Sequence, residues 1–123
     1  MADPRHLAGQ RAENAAAAWL ATIGWTVLAR RWHGPQGELD LVCRDPDGVL
    51  VAVEVKLRRT ERTGAALESV DDRRLRRLRR SLGSFLEEER LPTPLGLRID
   101  LVTVTPFPDG RWRLARYPSI DGW

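Results

Sequence analysis

Two apolar runs joined by a turn constrain this chain more than anything else in it. Glu38-Leu39-Asp40-Leu41-Val42-Cys43-Arg44 and Val49-Leu50-Val51-Ala52-Val53-Glu54-Val55-Lys56-Leu57 flank Asp45-Pro46-Asp47-Gly48. Alternating, β-branched runs on either side of such turn chemistry predict an antiparallel hairpin. Side chains two apart in a strand share a face, so Glu54 and Lys56 project together, away from Val51, Val53, Val55 and Leu57. In the preceding strand the same rule sets Leu39, Leu41 and Cys43 on one face and Glu38, Asp40 and Val42 on the other. With a register that permits it, Asp40 stands beside Glu54.

Around this hairpin the sequence punctuates itself into one mixed α/β domain covering residues 1–123, with 1–3 and 118–123 as flexible tails. Pro4 to about Ile23 carries Leu7, Ala8, Ala12, Ala15, Ala16, Trp19, Leu20 and Ile23 at helical spacing, with Asp3 as N-cap and a stop at Gly24. Trp25 to Arg31 reads as a strand, and His33-Gly34-Pro35-Gln36-Gly37 as a loop that breaks regular structure. After the polar stretch Arg58 to Gly64, Ser69 is a candidate N-cap for a helix with the apolar stripe Leu75, Leu78, Leu82, Phe85 and Leu86. Pro92 and Pro94 end that segment. Leu97 to Thr105 and Arg111 to Tyr117 read as strands around the turn Pro108-Asp109-Gly110. The resulting order, α-β-β-β-α-β-β, predicts a central sheet with helices packed against it.

Composition narrows the setting. At 123 residues, 42% of them hydrophobic, the chain buries a core without covalent staples. Its only cysteine, Cys43, forms no internal disulfide and is expected to pack as a small hydrophobe in a reducing compartment. Met1 to Gln10 contains charges where a signal peptide needs an apolar run, and no stretch reaches the ~20 apolar residues of a membrane span. A cytoplasmic protein with no membrane partner is expected.

Positive charge is concentrated from Lys56 to Arg62 and from Arg73 to Arg80, the footprint of a protein that meets a polyanion, although a solvated helix face gives the same pattern. Of 20 basic residues 19 are arginine; the single lysine is Lys56. An ammonium differs from a guanidinium in being a compact, deprotonatable point charge, so its retention here points to chemistry. Two adjacent carboxylates repel, raising the pKa of one, unless a cation lies between them. Mg²⁺ (or Mn²⁺) suits two strand carboxylates plus a main-chain carbonyl, that of Val55, while the lack of histidine and cysteine partners argues against zinc. Beside such a metal, Lys56 would orient or help deprotonate an attacking water, or steady charge on phosphoryl oxygens. The plainer reading of Glu54 and Lys56 alone is an exposed ion pair contributing about 0–1 kcal/mol.

Taken together, Gly9-x-x-x-Glu13, Gly37-Glu38-Leu39-Asp40-Leu41-Val42 and Val53-Glu54-Val55-Lys56-x-Arg58 resemble the PD-(D/E)XK nuclease superfamily, and within it the YraN family of uncharacterised, endonuclease-like bacterial proteins. The likeness continues through Ala66-Leu67-Glu68-Ser69-Val70-Asp71 to Arg98-Ile99-Asp100-Leu101-Val102, and Leu39 stands where the superfamily name has proline. The resemblance implies a restriction-endonuclease-like core similar to Holliday junction resolvases, with Asp40 and Glu54 as metal ligands, Lys56 as catalytic lysine and Glu13 assisting from the first helix. Glu13 is equally read as a helix-surface carboxylate. Arg58, Arg59, Arg73, Arg76, Arg77 and Arg80 would hold nucleic acid, DNA in the first instance, through its phosphates. Related resolvases dimerise, so a homodimer is the matching expectation. The alternative is a non-catalytic nucleic-acid-binding module in DNA repair, recombination or RNA handling. Among lesser candidates, Glu38 is a possible further ligand, His33 a loop base, Trp32 a base-stacking ring and Asp100 a buried partner for an arginine.

Overall fold

The hairpin at the centre of the sequence becomes the centre of the sheet. In a computed structural model describing residues 4–58 and 70–121, the elements are α1 (Pro4–Thr22), β1 (Thr26–Gly34), β2 (Gly37–Arg44), β3 (Leu50–Leu57), α2 (Asp72–Glu88), β4 (Leu97–Pro106) and β5 (Trp112–Tyr117). The five strands form one mixed sheet in sequential order, antiparallel except where β3 meets β4 in parallel register, Leu50 opposite Leu97 through Leu57 opposite Val104. A parallel neighbour needs a crossover, and the β3-to-β4 connection contains α2. Flanked by strands on both edges and helices on both faces, β3 has its first five residues buried, which explains its near-continuous apolar run.

Each helix covers one face. Ala12, Ala16, Ala17 and Leu20 of α1 pack on Leu41, Cys43, Val51, Val53, Val102 and Val104. On the other face Leu75, Leu78, Leu82 and Phe85 of α2 pack on Leu39, Val42, Leu50, Ala52 and Ile99. Two polar pins tie α1 to the edge strand β1: Arg30 donates to Asn14 Oδ1 at 2.9 Å, and Arg31 Nε donates to both oxygens of Glu13 at 3.2 and 3.1 Å. Among the described residues no helix is long and apolar enough to cross a membrane.

Four sequence expectations change. The five-residue loop at 33–37 is a two-residue turn, Pro35-Gln36, and β1 continues to Gly34 opposite Gly37. Glycine makes that closure possible at both ends: Gly37 sits at φ 132°, and a Cβ on Gly34 would lie 2.3 Å from the Trp32 indole. Trp32 is no base-stacking ring, because it packs edge-on to Phe85 at 5.4 Å. Leu39 does not share a face with Leu41 and Cys43 but packs with Val42 under α2. Across from this change of face Arg31 has a left-handed backbone, φ 48°, between the pairs Arg30–Leu41 and Trp32–Leu39. Finally, α2 is capped by Asp71, whose Oδ1 accepts from the Arg74 N–H at 2.8 Å; the expected caps Ser69 and Asp3 lie outside the described residues.

A buried ionic cluster closes the far end of the sheet. Asp100, 0% exposed, accepts from Arg98 Nε and Nη2 at 2.8 and 3.1 Å, from Arg116 at 3.0 Å and from the Ser119 N–H at 3.0 Å. Both guanidinium groups lie over the Trp25 ring, 5.6 and 5.1 Å from its centre. Arg98 also reaches Asp45 at 2.9 Å; burial alone would raise that carboxyl, but the Val49 N–H and Arg98 outweigh it and hold the carboxyl low. Ile120 N bonds to the Ile99 carbonyl and Asp121 accepts from Arg79, so residues 119–121 lie docked against β4 and α2. Asp100→Ala removes the buried acceptor shared by Arg98, Arg116 and the Ser119 N–H, leaving Arg98 with Asp45 alone, and should cost about 1–3 kcal/mol, read as a lower urea midpoint.

Candidate functional site

The two central strands separate at Asp40. Their ladder ends at the pair Leu41–Val53, and beyond it the Val55 N–H donates to the Asp40 carboxylate Oδ2 at 2.9 Å instead of to a β2 carbonyl. Asp40 therefore holds open a fork at the middle of the sheet. Glu54 lies in this fork on the α2 side, 3% exposed, because residues 50, 52, 54 and 56 alternate with the α1-facing valines. Lys56, a quarter exposed, sits two residues on with its Nζ 3.6 Å from Glu54 Oε1. Glu54 and Lys56 thus share one face, as strand alternation predicts, and the Asp40 carboxylate stands at the same fork, bonded to the main chain between them.

Glu13 approaches the same fork from α1, its side chain mostly buried and gripped by Arg31. Its charge is felt by Asp40. Burial first, then Glu54, raise the Asp40 carboxyl from 3.8 to about 7; the Val55 N–H pulls it back, Glu13 adds a further push upward and Lys56 a smaller pull down. The balance is one of excess negative potential at a partly buried acid. Oxygen-only donors from neighbouring strands fit a hard divalent cation, which such an excess favours. Against this, no three His, Cys, Asp or Glu side chains among the described residues already form a ligand cluster.

Glu54 is met instead by Arg74, a residue the sequence did not single out. Its guanidinium forms an ion pair and hydrogen bond with Glu54 Oε1, the oxygen Lys56 also faces. A signal for it existed: Arg74, Leu78, Ser81 and Phe85 recur at i, i+4, i+7 and i+11, and the last three are buried, which sets Arg74 on the inward stripe of α2. Arg31, the partner of Glu13, gave no comparable signal, since its position follows from the kink in β1.

Beside Glu54, α2 and the β1–β2 turn bound an open cleft of about 550 Å³ lined by Gln36, Asp71, Arg73, Arg74, Arg77 and Arg80. Of the expected phosphate-holding residues, Arg73, Arg77 and Arg80 meet here, with Arg77 lying against Gly37. Arg76 is exposed on the same helix outside the cleft lining. The Arg58 N–H bonds the Val104 carbonyl at 2.8 Å, extending the β3–β4 pairing, and Arg59 lies outside the described residues. Glu38 and His33 face each other across the exposed hairpin, 3.9 Å apart, rather than joining Asp40. Cys43 is a buried thiol that burial and the Asp100 charge push up to about 12, so it stays neutral.

Residues 12–104 match the model of an uncharacterised protein family, UPF0102, a span containing Glu13, Asp40, Glu54, Lys56 and Arg74. A UPF0102 protein of Kineococcus radiotolerans is 44% identical over 97 residues, 79% of each chain. One from Neisseria gonorrhoeae is 39% identical over 99 residues, covering 80% of this chain and 84% of its own. One from Neisseria meningitidis is 36% identical over 107 residues, covering 87% and 91%.

The raised Asp40 carboxyl fixes the sign of a pH effect. Between pH 3.8 and about 7 the folded chain retains a proton there that the unfolded chain has released, so stability falls as pH rises through this window. Asp40→Asn, which imitates the protonated acid, should flatten that fall and raise the urea midpoint above pH 7 relative to the wild type. A lower midpoint for the variant at pH 8 would contradict the assignment.

Proposed function

Since the chain belongs to the uncharacterised protein family UPF0102, we propose that it is a divalent-metal-dependent nuclease that hydrolyses phosphodiester bonds in DNA, with branched or structured DNA as the preferred form. One observation carries this reading: Asp40, Glu54 and Lys56 converge at a fork in the sheet that opens beside a cleft lined by four arginines. Acid groups without the cleft would be a plain ion-pair cluster. The cleft without the acid groups would be a plain basic face.

Asp40 and Glu54, with the Val55 carbonyl, are the groups that would hold Mg²⁺ or Mn²⁺, and the bound cation would polarise a phosphoryl oxygen. Glu13 assists by keeping the potential at Asp40 negative. Lys56 presents the only ammonium side chain in the protein beside Glu54. From there it orients the water that attacks phosphorus, or offsets negative charge as the phosphorus–oxygen bond to the leaving strand breaks. Arg73, Arg77 and Arg80 hold neighbouring phosphates without reading bases, a mode that suits selection by shape rather than sequence.

A second reading rests on a specific observation, the occupation of Glu54 by Arg74 and Lys56. It makes the protein a nucleic-acid-binding module of the same fold without turnover. Both readings meet in one assay on branched, flapped, single-stranded and duplex DNA with Mg²⁺ or Mn²⁺. For the nuclease, Lys56→Ala is expected to lower cleavage by about 10²–10³-fold, while binding persists. Equal cleavage by wild type, Lys56→Ala and Asp40→Asn would exclude it. Arg77→Ala should weaken binding to all of these DNAs and reduce the slope of log K against log salt by about 0.7–0.9.

A further inference from the structure

Arg74 belongs to two places at once. Its Nη2 is bound to the buried carboxylate of Glu54, and the same side chain lines the arginine cleft with Arg73, Arg77 and Arg80. Its main chain is fixed, because the N–H is held by the Asp71 cap at 2.8 Å. Its guanidinium is not: Nε is buried without a hydrogen-bond partner among the described residues, so the grip on Glu54 is one-pronged rather than the two-pronged fork an arginine makes with a carboxylate when locked. The side chain is a third exposed, on the cleft side.

Glu54 constrains what Arg74 does. A carboxylate that is 3% exposed cannot lose its counter-ion without replacement, and Lys56 at 3.6 Å is the only other cation bonded or paired to it among the described residues. Arg74 also sits in a crowd of like charge: three further arginines share its cleft, and a phosphate entering there offers a stronger set of acceptor oxygens than half of one carboxylate. Arg74 is therefore poised to leave Glu54 when two conditions coincide, another cation on Glu54 and an anion in the cleft.

Building on the metal-site reading above, we infer that Arg74 is an exchangeable counter-ion, which neutralises Glu54 in the free protein and moves to a nucleic-acid phosphate when a divalent cation takes its place. The consequence is regulation of the site by its own substrate. Without DNA, Arg74 competes with metal for Glu54 and keeps metal affinity low; with DNA, the competition ends. Metal and nucleic acid then bind cooperatively, each strengthening the other by the same factor. Arg74 is in this sense a positioning residue, acting on the site through Glu54.

The test measures Mn²⁺ binding by the electron paramagnetic resonance of the free ion, for wild-type protein and for Arg74→Ala, with and without a saturating branched DNA. Arg74→Gln is carried alongside as a variant of similar size, and circular dichroism checks that each is folded. For the wild type, DNA is expected to tighten Mn²⁺ about tenfold or more, and Mn²⁺ to tighten DNA equally, as linkage requires. For both variants, Mn²⁺ without DNA should bind tighter than to the wild type, and the coupling factor should fall toward one. Coupling that survives in the variants, as phosphate oxygens bridging directly to the metal would produce, overturns the inference and leaves the metal-site reading standing. Unchanged Mn²⁺ affinity in the variants without DNA overturns it in the same way. Failure of every protein to bind Mn²⁺ with or without DNA overturns both.

Discussion

Where β2 parts from β3, the Val55 N–H needs an acceptor, and the carboxylate of Asp40 supplies it. A main-chain donor inside a sheet is not left unpaired at low cost, so a side chain does the work of a strand. Because the acceptor is a side chain, the two strands are free to diverge, and a gap opens in the middle of the sheet rather than at its rim. Glu54 is carried into that gap by the alternation of β3, Lys56 follows at the same parity, and α2 covers the opening with its inward stripe. Without the Asp40–Val55 bond the Val55 N–H would lack this acceptor at the point where the two strands part.

Two ionic clusters in this small domain make an instructive contrast. Asp100 accepts four hydrogen bonds, two from Arg98, one from Arg116 and one from a main-chain N–H, and its arginines rest on Trp25. Every acceptor position of Asp100 is used and the carboxylate itself is out of contact with water, its arginines reaching the surface only in part. At the fork, burial with Glu54 and Glu13 pushes the Asp40 carboxyl toward neutrality, and the arginine that meets Glu54 has a buried nitrogen with no partner among the described residues. An unsatisfied buried group is costly in a protein interior, and among the described residues one such nitrogen belongs to an arginine that lines the open cleft. The first cluster ties β4 to β5, whereas the second borders the arginine cleft.

Much of this was legible in the sequence. Turn chemistry at Asp45–Gly48 and the parity of β3 set the central hairpin and the shared face of Glu54 and Lys56, because strand alternation is a strict rule wherever one face is buried. The element order followed from hydrophobic spacing, and Asp100 was readable as an arginine partner. What escaped depended on relations between elements. Leu39 breaks the alternation of its strand opposite the left-handed backbone of Arg31, a non-glycine residue whose conformation no local pattern announces. The tightness of the turn at Pro35-Gln36 depended on an indole folded over Gly34. Arg74 was concealed by composition: in a helix with arginine at six of its first nine positions, 72–80, one inward member resembles the outward ones unless helical phase is followed residue by residue.

The alanines of α1 have a meaning beyond filling space. Ala12, Ala16 and Ala17 are almost wholly buried against the sheet, and side chains one carbon long let a helix axis settle close to the strands beneath it. That separation is the height from which Glu13 projects its charge onto Asp40. Residues with no functional group of their own thereby calibrate an electric field, and the thickness of the layer they form is as much a property of the site as the acids themselves.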